Sequence, residues 1–144
     1  EPGVGDPPGF TLGQCSSQRN LSEAGRAEAI GIGAWFSQHG LQPRAVLSSQ
    51  WCRCLDTARL MALSAPQPLP PLNSFFAGRG DGDKQTQALI QTFSSTQLAQ
   101  PAVLVTHQVN FTALTGIFPR SGEAAIIALP LTQPAKVLAR VSSP

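Results

Sequence analysis

The stretch that decides the fold is Ala45-Val46-Leu47-Ser48-Ser49-Gln50-Trp51-Cys52-Arg53-Cys54-Leu55-Asp56-Thr57-Ala58, where a short apolar run gives way to two serines and a helix-forming segment. This order predicts a β-strand that runs directly into an α-helix. In an open α/β sheet, ligands bind at the carboxyl ends of the strands, and a helix that starts there directs its free N–H groups at an anion. Arg53 falls near the start of this predicted helix, where its planar guanidinium suits a phosphate or carboxylate. A surface arginine paired with Asp56 is the competing interpretation.

A second junction of the same kind lies further along the chain. Ala102–Thr106 is a continuous apolar, β-branched run, typical of a strand buried on both faces of a parallel sheet, and His107 follows it. The next residues predict a helix that ends at Gly116. A histidine at the end of a strand is more often structural than catalytic. Together with Arg53, however, it predicts an anion site with a titratable partner.

Three segments resemble the histidine phosphatases, also called the phosphoglycerate mutase-like superfamily. Residues 47–58 are similar to that family's Ser-x-x-x-Arg-x-x-x-Thr-Ala block, Val105–His107 to its second-histidine block, and Asn20–Ala27 to its Leu-Thr/Ser-x-x-Gly-x-x-Ala helix opening. The resemblance extends over roughly residues 9–128. Its closest match is an exported bacterial branch related to lipopolysaccharide core heptose phosphatase. It implies a three-layer α/β/α sandwich with a mostly parallel central sheet.

The resemblance also implies a phosphatase that hydrolyses a small phosphate monoester through a phospho-histidine intermediate, without a cofactor or metal. Arg53 and His107 would bind the phosphate oxygens, which makes His107 the expected catalytic residue of this chain. The family's nucleophile is a histidine in an Arg-His motif, yet the chain contains only His39 and His107, and neither follows an arginine. We therefore expect the motif upstream of Glu1. Residues 1–144 are then expected to form a single domain that lacks its first strand and is inactive by itself.

The proton donor to the leaving group is not defined by the sequence. Some members of the family carry an aspartate directly after the second histidine, where this chain has Gln108. Others take an acid from the loop after the third strand, which leaves Asp81 and Asp83 as candidates. Asp83 is better explained as the N-cap of the helix that follows. Asn110 is expected to form hydrogen bonds or cap a helix.

Three cysteines bear on the cellular compartment. Cys52 and Cys54 are two apart on the predicted helix and face opposite sides, so they cannot bridge each other. The resemblance places Cys54 at a small core position and Cys52 at an outward position, which makes Cys52 the better partner for Cys15. Such a disulfide indicates a periplasmic or otherwise exported protein. Three free thiols in a cytoplasmic protein are the alternative.

Composition argues against several other functions. The formal net charge of +2, without a Lys/Arg cluster, argues against a nucleic-acid partner, and no apolar run approaches the ~18 residues that span a membrane. Two distant histidines and three cysteines do not make a zinc site. One further function stays open, a non-catalytic module that binds phosphate or a partner in the same pocket. A mutase is a weaker third alternative, because it usually needs larger lid insertions than 144 residues leave room for.

The remaining segments predict the elements around these junctions. Ser22 is expected to cap a helix that ends near His39, with an apolar face formed by Ala27, Ile30 and Ala34. The proline-rich residues 64–72 allow only a short edge strand. Residues 84–100 predict a helix, and residues 124–129 and 135–141 predict two short strands about a turn.

Overall fold

A parallel sheet of three strands forms the centre of the molecule. The structure is a computed structural model, which describes residues 4–95 and 101–143. Strand β1 (Ala45–Ser48) lies between β2 (Gln67–Pro68) and β3 (Ala102–Val105), and both neighbours run parallel to it. β1 and β3 pair in register over their full length, so they end side by side. The predicted parallel pair and the predicted edge strand are therefore confirmed.

Four α-helices, three short 3-10 helices and an antiparallel hairpin complete the described fold. The α-helices are α1 (Glu23–Gln38), α2 (Cys52–Leu60), α3 (Gly82–Thr92) and α4 (Gln108–Thr115). The hairpin pairs β4 (Ala124–Ile127) with β5 (Val137–Val141) in a separate two-stranded sheet. The chain has a mixed α/β fold with a parallel central sheet, as the sequence predicted.

Helices cover the parallel sheet on both faces. On one face Leu47 and Leu104 pack against the cluster that contains Leu89 of α3 and Leu114 of α4. On the other face Val103 and Val105 join the cluster that contains Val46, Ala58 and Met61. Alternate residues of a strand point to opposite faces, which explains this division. The sheet is therefore the middle layer between α1 and α2 on one side and α3 and α4 on the other.

The helix ends follow from local capping. The hydroxyl of Ser22 accepts a hydrogen bond from Gly25 N at 3.1 Å, which confirms it as the N-cap of α1. Asp81 Oδ1 accepts from Lys84 N at 3.0 Å, so Asp81 caps α3. The prediction that Asp83 is this cap was wrong, because α3 begins earlier, at Gly82, and Asp83 lies inside its first turn. The helix predicted over residues 84–100 is too long, since α3 ends at Thr92; residues 96–100 lie outside the described residues.

Helix α1 packs on α2 through its smallest residues. Ala29 and Gly33 are buried, and a Cβ at position 33 would overlap the backbone carbonyl of Met61. The predicted apolar face of α1 was wrong, since the following residues are exposed: Ala27, Ile30 and Ala34. The close approach of two backbones selects small side chains over large apolar ones, so hydrophobicity alone indicated the wrong face.

Candidate functional site

Arg53 and His107 meet where β1 and β3 end. Arg53 lies in the first turn of α2, and His107 is the N-cap residue of α4. Arg53 Nη2 is 3.3 Å from His107 Nδ1. The parallel, in-register pairing of β1 and β3 brings together these two side chains, which are 54 positions apart in the sequence. The predicted convergence of the two junctions is present.

The carboxylate of Asp6 lies against the guanidinium of Arg53. Arg53 Nη1 donates to Asp6 Oδ1 at 2.7 Å, Trp51 Nε1 donates to Oδ2 at 3.0 Å, and the backbone N–H of Arg19 donates to Oδ1 at 3.1 Å. The Asp6 side chain is only 6% exposed. Burial alone would raise its pKa, but the hydrogen bonds from Arg53, Trp51 and Arg19 together hold the pKa below its ordinary value. These donors therefore already bind an anion.

His107 is an uncharged imidazole in this arrangement. Burial, and after it the positive charge of Arg53, lowers the pKa of His107 to about 3. Its Nε2 lies 2.8 Å from the hydroxyl oxygen of Ser49, which is fully buried. Trp51 packs edge-on against the imidazole, with the ring centroids 5.2 Å apart. The apolar indole on this side helps to keep water from the ring.

Asn73 ties the site to the loop that follows β2. Its Oδ1 accepts from Ser49 Oγ at 3.3 Å and from Gln50 N at 2.8 Å, while its Nδ2 donates to Gln50 Oε1 at 2.8 Å. Asn110 Nδ2 donates to the backbone carbonyl of Asn73 at 2.8 Å, which confirms the predicted hydrogen-bonding role of Asn110. The start of α2, the loop after β2 and α4 are thus connected around Ser49.

The predicted Cys15–Cys52 disulfide is present, with the two Cα atoms 5.6 Å apart. It fastens the N-terminal loop that carries Asp6 to the start of α2. Cys52 is 3% exposed rather than outward-facing, because the loop covers it. Gln18 Oε1 from the same loop accepts from Cys52 N at 3.0 Å, so this N–H of α2 serves an internal contact instead of an anion.

Cys54 is a buried free thiol on the opposite side of α2. Its sulfur lies 3.6 Å from His107 Nε2. Burial raises the pKa of Cys54 to about 12, so the thiol is protonated and a poor nucleophile at neutral pH.

The candidate acids of the sequence lie elsewhere. Asp81 caps α3 and pairs with Lys84 Nζ at 3.3 Å, and Asp83 is exposed in the first turn of that helix. In the described part of the chain neither carboxylate contacts Arg53 or His107. The sequence interpretation missed Asp6, Ser49 and Asn73 as members of the site. Ser49 stood in the recognised motif, but the segment around Asp6 shows no periodicity that would single it out.

Metal binding and membrane insertion find no support in residues 4–95 and 101–143. No cluster of three or more His, Cys, Asp or Glu side chains there is arranged to hold a metal ion. None of the helices described is both long and apolar enough to cross a membrane.

Solved structures with the same fold include the three that follow. No protein-family model matches the sequence, and no curated protein does. The protein histidine phosphatase SixA, solved in complex with tungstate, is 17% identical, with a TM-score of 0.64 over 86% of this chain and 84% of its own. The protein assigned as phosphohistidine phosphatase SixA from Agrobacterium tumefaciens is 21% identical, with a TM-score of 0.62 over 96% and 91% of the two chains. The product of open reading frame Rv3214 from Mycobacterium tuberculosis is 13% identical, with a TM-score of 0.60 over 86% and 85%. At these identities the likeness establishes a fold of the SixA type.

Proposed function

We propose that this chain carries the phosphate-binding part of a histidine phosphatase that hydrolyses a small phosphate monoester through a phospho-histidine. Arg53 and His107 bind the phosphate oxygens. The observation that carries this proposal is the buried carboxylate of Asp6, which is held by Arg53, Trp51 and the N–H of Arg19. Donors arranged around one anion suit the negatively charged oxygens of another.

A phosphate dianion would change the charge state of His107. In the free chain, burial and Arg53 keep the imidazole neutral. An adjacent dianion favours the protonated form, which offers two N–H donors. Arg53 contributes a permanently charged fork suited to two phosphate oxygens. The N–H groups of Arg53 and protonated His107 would then stabilise the negative charge on the equatorial oxygens during phosphoryl transfer.

The nucleophile is proposed to come from an Arg-His motif upstream of Glu1. Among the described strands, β3 pairs on one side only, with β1. A strand added in parallel along the other side of β3 would end beside His107. Residues 1–144 are accordingly proposed to be one domain that needs this strand for activity. SixA in complex with tungstate, an oxyanion of phosphate-like shape, is in accord with a site for such an anion in this fold.

The disulfide supports a proposal for the compartment. A bridge between Cys15 and Cys52 is stable in an oxidising environment, and we propose that the protein is periplasmic or otherwise exported. We also propose that the protein belongs to the exported branch related to lipopolysaccharide core heptose phosphatase, which the sequence resembles.

A second candidate is a non-catalytic module that binds phosphate in this pocket. It is favoured by the state of the potential nucleophiles at the site. The Cys54 thiol is protonated, the Ser49 hydroxyl donates to Asn73, and His107 contacts Arg53, which fits its proposed role of binding an oxygen better than in-line attack. Only the activity of a longer chain separates the two candidates.

The test compares two versions of the protein, one beginning at Glu1 and one extended by the residues encoded directly upstream. We expect the extended version to hydrolyse p-nitrophenyl phosphate and to form an acid-labile phospho-enzyme, and the shorter version to do neither. His107→Asn should abolish turnover in the extended version, while the exposed His39→Gln should not. Robust turnover by a chain whose mass begins at Glu1 would show that the nucleophile is wrong. Phosphate binding without turnover in the extended version would favour the binding module.

A further inference from the structure

Ser49 lies in a hydrogen-bond chain that ends on the ring of His107. Its hydroxyl proton is donated to Asn73 Oδ1 at 3.3 Å, and its oxygen also accepts from Trp51 N at 3.2 Å. The same oxygen is 2.8 Å from His107 Nε2. A hydroxyl has a single proton, and Asn73 Oδ1, which already accepts from Gln50 N and can only accept, needs that proton for its contact with Ser49. Ser49 therefore accepts from His107, which requires the imidazole proton to be on Nε2.

The other side of the ring leads independently to the same tautomer. Arg53 Nη2 is 3.3 Å from His107 Nδ1, and a guanidinium has only donors. A proton on Nδ1 would face a second donor, so Nδ1 carries the lone pair. Both nitrogens of the ring thus have partners of the appropriate kind.

We propose that Ser49 and Asn73 are positioning residues that hold the His107 proton on Nε2, so that Nδ1 is the nitrogen that takes up a proton when phosphate binds beside Arg53. The inference depends on the proposed function for the identity of the anion. The tautomer itself is a property of the chain alone.

The charges that face His107 determine when it becomes protonated. Arg53 and Arg19 disfavour the imidazolium, and Asp6 favours it. The nearby Cys54 thiol is neutral below about pH 12 and adds no charge. A bound phosphate dianion is a further charge that favours protonation.

The imidazolium has two N–H groups, and each needs an acceptor. Ser49 accepts the proton of Nε2, and the anion accepts both the proton of Nδ1 and the Arg53 N–H that faces Nδ1 in the absence of phosphate. Without the Ser49 hydroxyl, Nε2–H would keep only the weakly accepting sulfur of Cys54, 3.6 Å away, which makes protonation less favourable. The hydroxyl of Ser49 therefore supports phosphate binding without touching phosphate.

Nitrogen-15 NMR of the histidine rings reads the tautomer directly, and the chain has only two histidines. His39 Nδ1 lies 2.8 Å from a backbone carbonyl, so its proton is on Nδ1 and it serves as an internal contrast. We expect His107 as the Nε2–H form in the unaltered chain and in Ser48→Ala. Ser48 is a matched control, since it is buried as completely as Ser49 and its hydroxyl donates to the carbonyl of Ser49. In Ser49→Ala we expect the Nε2–H signal to lose its protection from exchange with water.

Titration with inorganic phosphate supplies the second measurement, on the chain that begins at Glu1 and on its extended version. Ser49→Ala should bind phosphate on the order of ten-fold more weakly than Ser48→Ala, and the pKa of phosphate-bound His107 should be lower. Asn73→Ala removes the acceptor of the Ser49 proton together with the two contacts of Asn73 to Gln50, and it should shift both quantities in the same direction by less. It serves as the second variant if Ser49→Ala does not fold.

The outcomes separate this inference from the proposed function. An unaltered chain with the His107 proton on Nδ1 would overturn the inference. So would a Ser49→Ala variant that matches Ser48→Ala in both its NMR signal and its phosphate affinity. Failure of the unaltered chain to bind phosphate, with the Nε2–H form present, would overturn the proposed function and leave the tautomer assignment standing.

Discussion

The two strand-to-helix junctions of this molecule build the same site by different means. At the first, between β1 and α2, Ser48 and Ser49 are fully buried, and the Cys15–Cys52 disulfide fixes the start of the helix. At the second, between β3 and α4, the strand is only half-buried and pairs on one side among the described strands. Arg53, which is permanently charged, thus lies at the junction that the disulfide anchors. His107, which can titrate, lies at the less enclosed junction and is oriented by Ser49 and Arg53 of the first junction.

If this comparison holds, His107 at the second junction should cause most of the loss of stability when the pH is lowered. The pKa of His107 is about 3 in the folded chain against 6.5 ordinarily, so between these values the unfolded state binds the extra proton. Stability should fall as the pH drops from about 6.5 towards 3, by up to about 5 kcal/mol in the free energy of unfolding. Urea unfolding at pH 4.5–7 measures this slope above the range in which Asp6 titrates.

The matched variants are His107→Asn and His39→Gln. His107→Asn should flatten the pH dependence of stability, whereas His39→Gln should retain it, because His39 is exposed at the end of α1. If the free energy of unfolding depends on pH equally in the unaltered chain and in His107→Asn, the second junction is not the acid-sensitive one.

The first junction should be most sensitive to loss of its charge. Arg53→Ala leaves the Asp6 carboxylate, 6% exposed, without its ionic partner. Removing one member of such a buried pair costs about 3–5 kcal/mol of stability. Phosphate affinity should also fall about ten- to a hundred-fold, because a charge-assisted contact is lost.

Arg59→Ala is the control for this variant. Arg59 pairs with Asp56 on the exposed surface of the same helix, and such pairs contribute about 0–1 kcal/mol. Adding Asp6→Asn to Arg53→Ala should recover part of the lost stability, since the unpaired charge is gone. No recovery would indicate that the damage comes from lost packing.

Covalent anchoring is tested by removing the disulfide. The bridged cysteines are 37 positions apart, and closing a loop of that length stabilises a chain by roughly 2–4 kcal/mol. The double variant Cys15→Ala with Cys52→Ala should lose this amount in denaturant unfolding. A reductant should destabilise the unaltered chain similarly and leave the double variant unchanged. If the reductant affects both equally, the bridge is not the anchor.

The packing of α1 on α2 should have the smallest effect of the four. Gly33→Ala places a methyl group against the backbone of Met61, and overpacking of this kind costs about 1–3 kcal/mol. Gly31→Ala is the matched control, since open space surrounds that position. It should stabilise the helix by about 0.4–1 kcal/mol. Thermal unfolding of the two variants should therefore shift in opposite directions.

The sequence predicted what is encoded locally and missed what depends on distant partners. Both junctions were predictable because an apolar β-branched run and a following helix signal are contiguous in the chain. Asp6 was missed because it meets Arg53 across 47 positions, from a segment without periodicity. Asn73 likewise reaches Ser49 from another loop. The Cys15–Cys52 pairing was expected from the family resemblance, and no rule of spacing would have supplied it.

The half-open position of β3 has a consequence for handling the protein. Among the described strands β3 pairs only with β1, and a strand that reads Ala-Val-Leu-Val with one such open side is a template for a strand of another molecule. It contains no charge and no proline, the two features that usually prevent such association. Copies of this chain should therefore self-associate through β3 as their concentration rises, and a strand that fills the open side should keep them monomeric.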